Sequence, residues 1–142
     1  MKPATLEWVQ KAEGDWTTAN RELRARNKPN FDAAAFHAQQ CAEKYLKARL
    51  QEAGVPVQRT HDLVKVAESL TPVPLELSAM RANLDLLNRY AVEIRYPGAV
   101  VPERRIARDL VSIAGAVRKL VRRELGLPPD RKPKRSPKRK PK

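Results

Sequence analysis

Cysteine is nearly absent from this chain of 142 residues, and the single Cys41 can close no intrachain disulfide and build no cysteine-based zinc site. That usage suits a reducing compartment, with Cys41 packing as a small hydrophobe. Glycine is scarce too, with five residues in all. None falls in a GxxxxGK[ST] or GxGxxG loop or in a Gly-x-Ser-x-Gly elbow, so the common nucleotide and hydrolase motifs are excluded. No apolar run approaches the ~18 to 20 residues that a membrane span needs. The opening MKPATLEW has no apolar core of a secretory leader. No membrane association is expected, and the expected location is cytoplasmic. Histidine occurs only as His37 and His61, from which neither a metal cluster nor a Ser/His/Asp triad can be assembled. The expectation is therefore no metal and no cofactor.

What the chain has in excess is positive charge, and it is unevenly spread. The total is +13, of which the last fifteen residues carry +7 and residues 1–127 the remaining +6. Residues 1–127 are long enough for one domain with a real core. Residues 128–142, reading PPDRKPKRSPKRKPK, have no apolar side chain except proline and cannot offset their ordering entropy, so a disordered tail is expected. Lys132, Lys134, Arg135, Lys138, Arg139 and Lys140 are its candidate contacts to a polyanion; a merely solubilising tail is the alternative.

Apolar periodicity is helical throughout, and five helices are expected. Leu6, Val9, Ala12, Trp16, Ala19 and Leu23 mark the first, over residues 4–26, closed by Asn27-Lys28-Pro29-Asn30. Asn30 is placed to cap the second, over 31–53, which ends at Gly54-Val55-Pro56. Its alanine stripe faces the core, and Gln39, Gln40, Glu43, Lys44 and Lys47 make the opposite, solvated face. Thr60 suits the N-cap of a short third helix containing Leu63, Val66, Ala67 and Leu70. Leu77, Met80, Leu84, Leu87, Ala91 and Ile94 predict one continuous fourth helix ended by Pro97-Gly98. On its other side Arg81, Asp85, Asn88, Val92 and Arg95 share a stripe. The fifth, over 102–125, carries Arg104, Arg105, Arg108, Arg118, Lys119, Arg122 and Arg123 on its outer face. The fold class is an all-α, up-and-down bundle of five helices.

Three segments together carry a resemblance: Phe36-x-x-Gln39-Gln40-x-Ala42-Glu43-Lys44-x-x-Lys47-Ala48, then Thr60-His61-Asp62-Leu63, then Tyr90 through Arg95-Tyr96-Pro97. Over residues 5 to 125 the chain resembles the prokaryotic HEPN domain. The resemblance implies a four-helix core and a homodimer. It also implies a possible partner chain, a small nucleotidyltransferase, in toxin and antitoxin pairs. Catalytic members of that family are metal-independent ribonucleases with an arginine, four to six variable positions and a histidine. An imidazole suits proton transfer there because its ordinary pKa is about 6.5.

This chain departs from that pattern. Arg95 stands where the family's arginine would be, but no histidine follows through Pro102, and starting from Arg89 finds none either. No catalytic residue is assigned, and enzyme activity is left open with binding preferred. The candidate nucleotide or phosphate contacts are Arg95, Tyr96, Arg89, Glu43, Lys44, Lys47 and His61, because an arginine fork suits phosphate and a tyrosine ring can stack on a base. For His61 a structural role at the start of its helix is the stronger reading, while Tyr96 equally suits packing on the bundle. The expected function is binding of nucleotide or RNA phosphate without ribonuclease chemistry. Two alternatives stand beside it, a ribonuclease toxin with a divergent site and the adaptor half of a nucleotidyltransferase pair.

Overall fold

The computed structural model describes residues 1–93 and 96–130. All regular elements among the described residues are α-helices: α1 (Pro3–Arg24), α2 (Phe31–Glu52), α3 (Leu63–Glu68), α4 (Leu75–Ala79), α5 (Arg81–Glu93) and α6 (Arg104–Glu124). α2 is the central element. It packs along α1 on one side and meets α6, α5 and α3 on others. Ala34, Ala35, Ala38 and Ala42 are fully buried, and their small side chains let α1 close upon α2.

The helix ends follow local chemistry. Asn30 Oδ1 accepts from the Ala33 amide at 3.0 Å and caps α2. α2 and α6 both end on a left-handed glycine, Gly54 at φ 72° and Gly126 at φ 71°. The amides that follow close back onto the last turn, Val55 N on Leu50 O and Leu127 N on Arg122 O. α3 is capped by Asp62 rather than Thr60: Asp62 Oδ1 accepts from the Val64 and Lys65 amides, while Thr60 Oγ1 accepts from the Asp62 amide.

Three further expectations are corrected. The fourth helix is two, so the described residues hold six helices. Met80 leaves helical geometry at φ −92°, ψ 4°, and ends α4 before α5 begins. Leu77, Leu84 and Leu87 all stay buried across the break, so the apolar stripe runs through it unchanged and periodicity could not reveal it. Most of the polar face of α2 is not solvated: Gln39, Glu43 and Lys47 are only 3%, 3% and 5% exposed, and Gln40 and Lys44 are part-buried, because α2 has neighbours on nearly all sides. Arg118, assigned to an outer face of α6, is buried against α1. Arg105, Arg108, Lys119 and Arg123 are exposed as expected.

α1 and α6 approach closely at Gly115. A Cβ there would lie 2.9 Å from the Trp16 ring, so this glycine is the recess that receives the indole. At the other end, Arg104 donates to the carbonyls of Leu23 and Ala25 at 3.0 and 3.1 Å. Its guanidinium also lies over the Phe31 ring. One side chain thereby joins the end of α1, the start of α2 and the start of α6.

Candidate functional site

The Gln39-to-Lys47 string on α2 becomes a buried polar chain. Glu43 is its hub: Oε1 lies 2.9 Å from His61 Nδ1, and Oε2 accepts from Lys47 Nζ at 3.3 Å. Gln39 Nε2 donates to His61 O at 2.9 Å and lies 3.5 Å from Glu43 Oε1. Gln40 Nε2 donates to Gln39 Oε1. Lys47 also stands 5.7 Å from the centre of the Trp8 ring. Glu43 and Lys47 therefore satisfy each other inside the bundle. A ligand would have to displace a buried, hydrogen-bonded pair to reach them.

His61 is different. Its side chain is 76% exposed while the Glu43 carboxylate that fixes Nδ1 is 4% exposed. A buried carboxylate thus orients a surface imidazole, and Nε2 is left as the polar atom of the ring away from that contact. His61 stands at the rim of a cleft of about 300 Å³ lined also by Gln39, Asp62, Asp85, Asn88 and Val92. Asp85, Asn88 and Val92 belong to the stripe anticipated on the fourth helix. Arg95, the next member of that stripe, lies outside the described residues.

The acids of the cleft are already engaged. Asp62 Oδ1 receives Asn88 Nδ2 at 2.9 Å besides capping α3, and Asn88 Oδ1 accepts from the Leu63 amide. Asp85 pairs with Arg89 at 3.1 Å, so Arg89 sits beside the cleft but spends its charge on a neighbour. Tyr96 is 67% exposed. It lines a separate depression of about 630 Å³ with Tyr90, Val100, Val101 and Arg105. The structure thus gathers Glu43, Lys47 and His61, sets Arg89 at their edge, and places Tyr96 in another depression.

Lys44 belongs to a second cluster. Its ammonium binds Asp15 Oδ2, and the other oxygen of that carboxylate lies 2.7 Å from His37 Nδ1. A third network joins α1, α2 and α6. Arg118 donates through Nε and Nη2 to Glu13 at 2.8 Å each, and through Nη1 and Nη2 to Asp130 at 2.6 and 2.8 Å. Tyr45, fully buried, donates to Glu13 at 2.7 Å. Burial opposes ionisation of Glu13, yet hydrogen bonds from Arg118 and Tyr45 and the charges of Arg118 and Arg122 hold its carboxyl below the usual value. The hydrogen bond from Arg118 does the same for Asp130. Burial, then the Glu13 contact, pushes the Tyr45 phenol up, and burial pushes the Cys41 thiol up, away from reactivity.

Asp130 and Pro128, whose carbonyl accepts from Arg122 at 2.9 Å, tie the first residues of the basic segment to α6. The tail candidates Lys132, Lys134, Arg135, Lys138, Arg139 and Lys140 lie outside the described residues. Among the described residues no three His, Cys, Asp or Glu side chains form a metal-ligating group. No described helix is long and apolar enough to cross a membrane.

Sequence reasoning missed Glu13, Asp15, Gln39 and Asp62 as members of these clusters. Gln39 and Asp62 both lie within the segments that carry the resemblance. The Glu13–Arg118 pair spans 105 positions and leaves no local trace.

No curated protein matches the chain. The crystal structure of an archaeal HEPN homologue is similar to it, with a TM-score of 0.67 and 27% identity, covering 88% of this chain and 99% of that one. The family model described as the HEPN domain matches residues 5–124. With that match spanning every helix but the first two residues of α1, this chain belongs to the HEPN family.

Proposed function

We propose that this HEPN protein binds a phosphate-bearing nucleotide or single-stranded RNA at the cleft between α2, the start of α3 and α5, without ribonuclease chemistry. The observation that carries the reading is the exposed His61 imidazole held by the buried Glu43 at the rim of that cleft. Asn88 and Asp62 are hydrogen-bonded to each other, and Arg89 offsets Asp85, so the polar wall is already ordered before a ligand arrives. Arg95 is the proposed phosphate contact, and Tyr96, which lines the separate depression, is the proposed stacking ring for a base beyond the cleft when the ligand is RNA. The absence of a histidine between Arg95 and Pro102 removes the proton-transfer partner that the family's ribonuclease motif requires.

Fluorescence anisotropy with labelled single-stranded RNA and with nucleotides at low salt tests this reading. Binding weakened about tenfold or more by Arg95→Ala and by His61→Ala is the expected result, the scale of a single charge-assisted hydrogen bond. No binding by the unmodified protein, or binding indifferent to both substitutions, would sink it. RNA that is cleaved by the unmodified protein and spared by His61→Ala would replace it with the ribonuclease reading.

A protein partner is the second reading, and exposed apolar side chains favour it. Tyr96, Val100 and Val101, which line one depression, are 67%, 87% and 57% exposed. Such a group is suited to a homodimer or to a nucleotidyltransferase chain. Light scattering on purified protein distinguishes a dimer from a monomer, and Val100→Asp with Val101→Asp is expected to break the dimer. A monomer at all accessible concentrations argues against self-association.

A further inference from the structure

The network around Arg118 is built like a ligand site whose ligand is part of the chain. The Arg118 side chain is only 8% exposed, and its inner edge is fixed by two hydrogen bonds to Glu13. One face of its guanidinium lies over the Trp16 ring at 5.1 Å. Position and orientation are thus set without Asp130. The outer edge, Nη1 and Nη2, meets the two oxygens of Asp130, a side chain that is 65% exposed and reached only after the left-handed Gly126 and two prolines.

Arg122, one turn on, offers Nη2 to Pro128 O. Its Nε is buried and has no partner among the described residues. The returning segment therefore presents three oxygens to two guanidinium groups, yet leaves one donor unmet. A planar carboxylate and one carbonyl fill this space incompletely; a tetrahedral oxyanion has the oxygens to do so.

We propose that Arg118 and Arg122 form a seat for a phosphate group, and that Asp130 occupies it as a built-in competitor until a ligand replaces it. The charges agree. With Asp130 withdrawn, two guanidinium groups face one carboxylate, Glu13, and the seat carries one unbalanced positive charge. A buried guanidinium edge left bare is strongly unfavourable, so release of Asp130 and entry of an anion are coupled. The seat lies on the α1 and α6 side of α2 and shares no residue with the cleft at His61. Asp130 is also the residue next before the basic run that begins at Arg131. A phosphate taken at Arg118 would therefore free the point at which that run is joined to the bundle.

The test uses full-length protein carrying Trp8→Phe, which leaves Trp16 as the one indole of a chain that has two. Trp16 emission is followed during titration with inorganic phosphate against chloride at constant ionic strength. Asp130→Asn, at an exposed position, removes the competing charge. It is expected to tighten phosphate binding about tenfold or more, since a tethered group competes at a millimolar effective concentration. Adding Arg122→Gln to Asp130→Asn keeps the Arg118–Glu13 contact and is expected to abolish that gain, whereas adding His61→Ala leaves it intact. Equal phosphate affinity with and without Asp130→Asn overturns the proposal. So does a gain that survives Arg122→Gln or that chloride reproduces.

Discussion

Glu43 holds three partners from a position 3% exposed: the ring of His61, the ammonium of Lys47 and the amide of Gln39. Replacing it with alanine leaves Lys47, also buried, without its counter-charge. Glu43→Ala is expected to lose about 3 to 5 kcal/mol of stability, read from urea unfolding. Glu43→Gln retains an acceptor and should lose distinctly less. At Gly115 two effects oppose each other: alanine in a helix gains up to about 1 kcal/mol, while crowding a packed interior costs about 1 to 3. The Trp16 ring at 2.9 Å from the added carbon decides the sign, so Gly115→Ala should lower the melting temperature. The residue types around Glu43 were legible in the sequence, and their environment was not. The solvated reading of α2 rested on spacing within one helix. Burial of Glu43 depends instead on His61, eighteen positions away, and on Trp8, which lies against Lys47 from another helix.

Helix boundaries were legible wherever one residue carries the signal. Asn30 caps α2, and Gly54 and Gly126 end α2 and α6 on the carbonyls of the preceding turn. The break at Met80 was not legible, because one residue leaving helical geometry shifts an apolar stripe too little to disturb its period. Arg104 illustrates a contact between elements that has no local trace at all. It meets carbonyls 79 and 81 positions away and the ring of Phe31. Arg104→Ala should therefore cost about 1 to 2 kcal/mol, and hydrogen exchange should quicken at the last turn of α1 before the core. Uniform protection across α1 in that variant would show the clamp to be idle.

For the molecule as a whole, acid is the expected weakness. Glu13 and Asp130 titrate in the folded chain below their ordinary values of 4.5 and 3.8. Stability from a depressed carboxyl is complete above its unfolded pKa and is lost as pH falls through the folded one. Melting temperature should thus decline as pH drops below 4.5, and Asp130→Asn should flatten that decline. An unchanged pH profile would mean the Arg118 network does not hold the bundle together. A truncation after Asp130 separates domain from tail. If the basic run supplies the polyanion affinity, the log-salt slope should shrink by about 0.7 to 0.9 for each phosphate that the shortened chain no longer neutralises. The family and the helical class were legible because the motif on α2 is dense; the clusters it enters required the other helices. The central place of α2 has a last consequence, for the unfolded chain. The helix most enclosed in the native bundle carries charged and amide side chains along its length. When the bundle opens, the segment that emerges from its middle is one that water solvates readily, and it offers nascent or heat-opened copies little on which to aggregate.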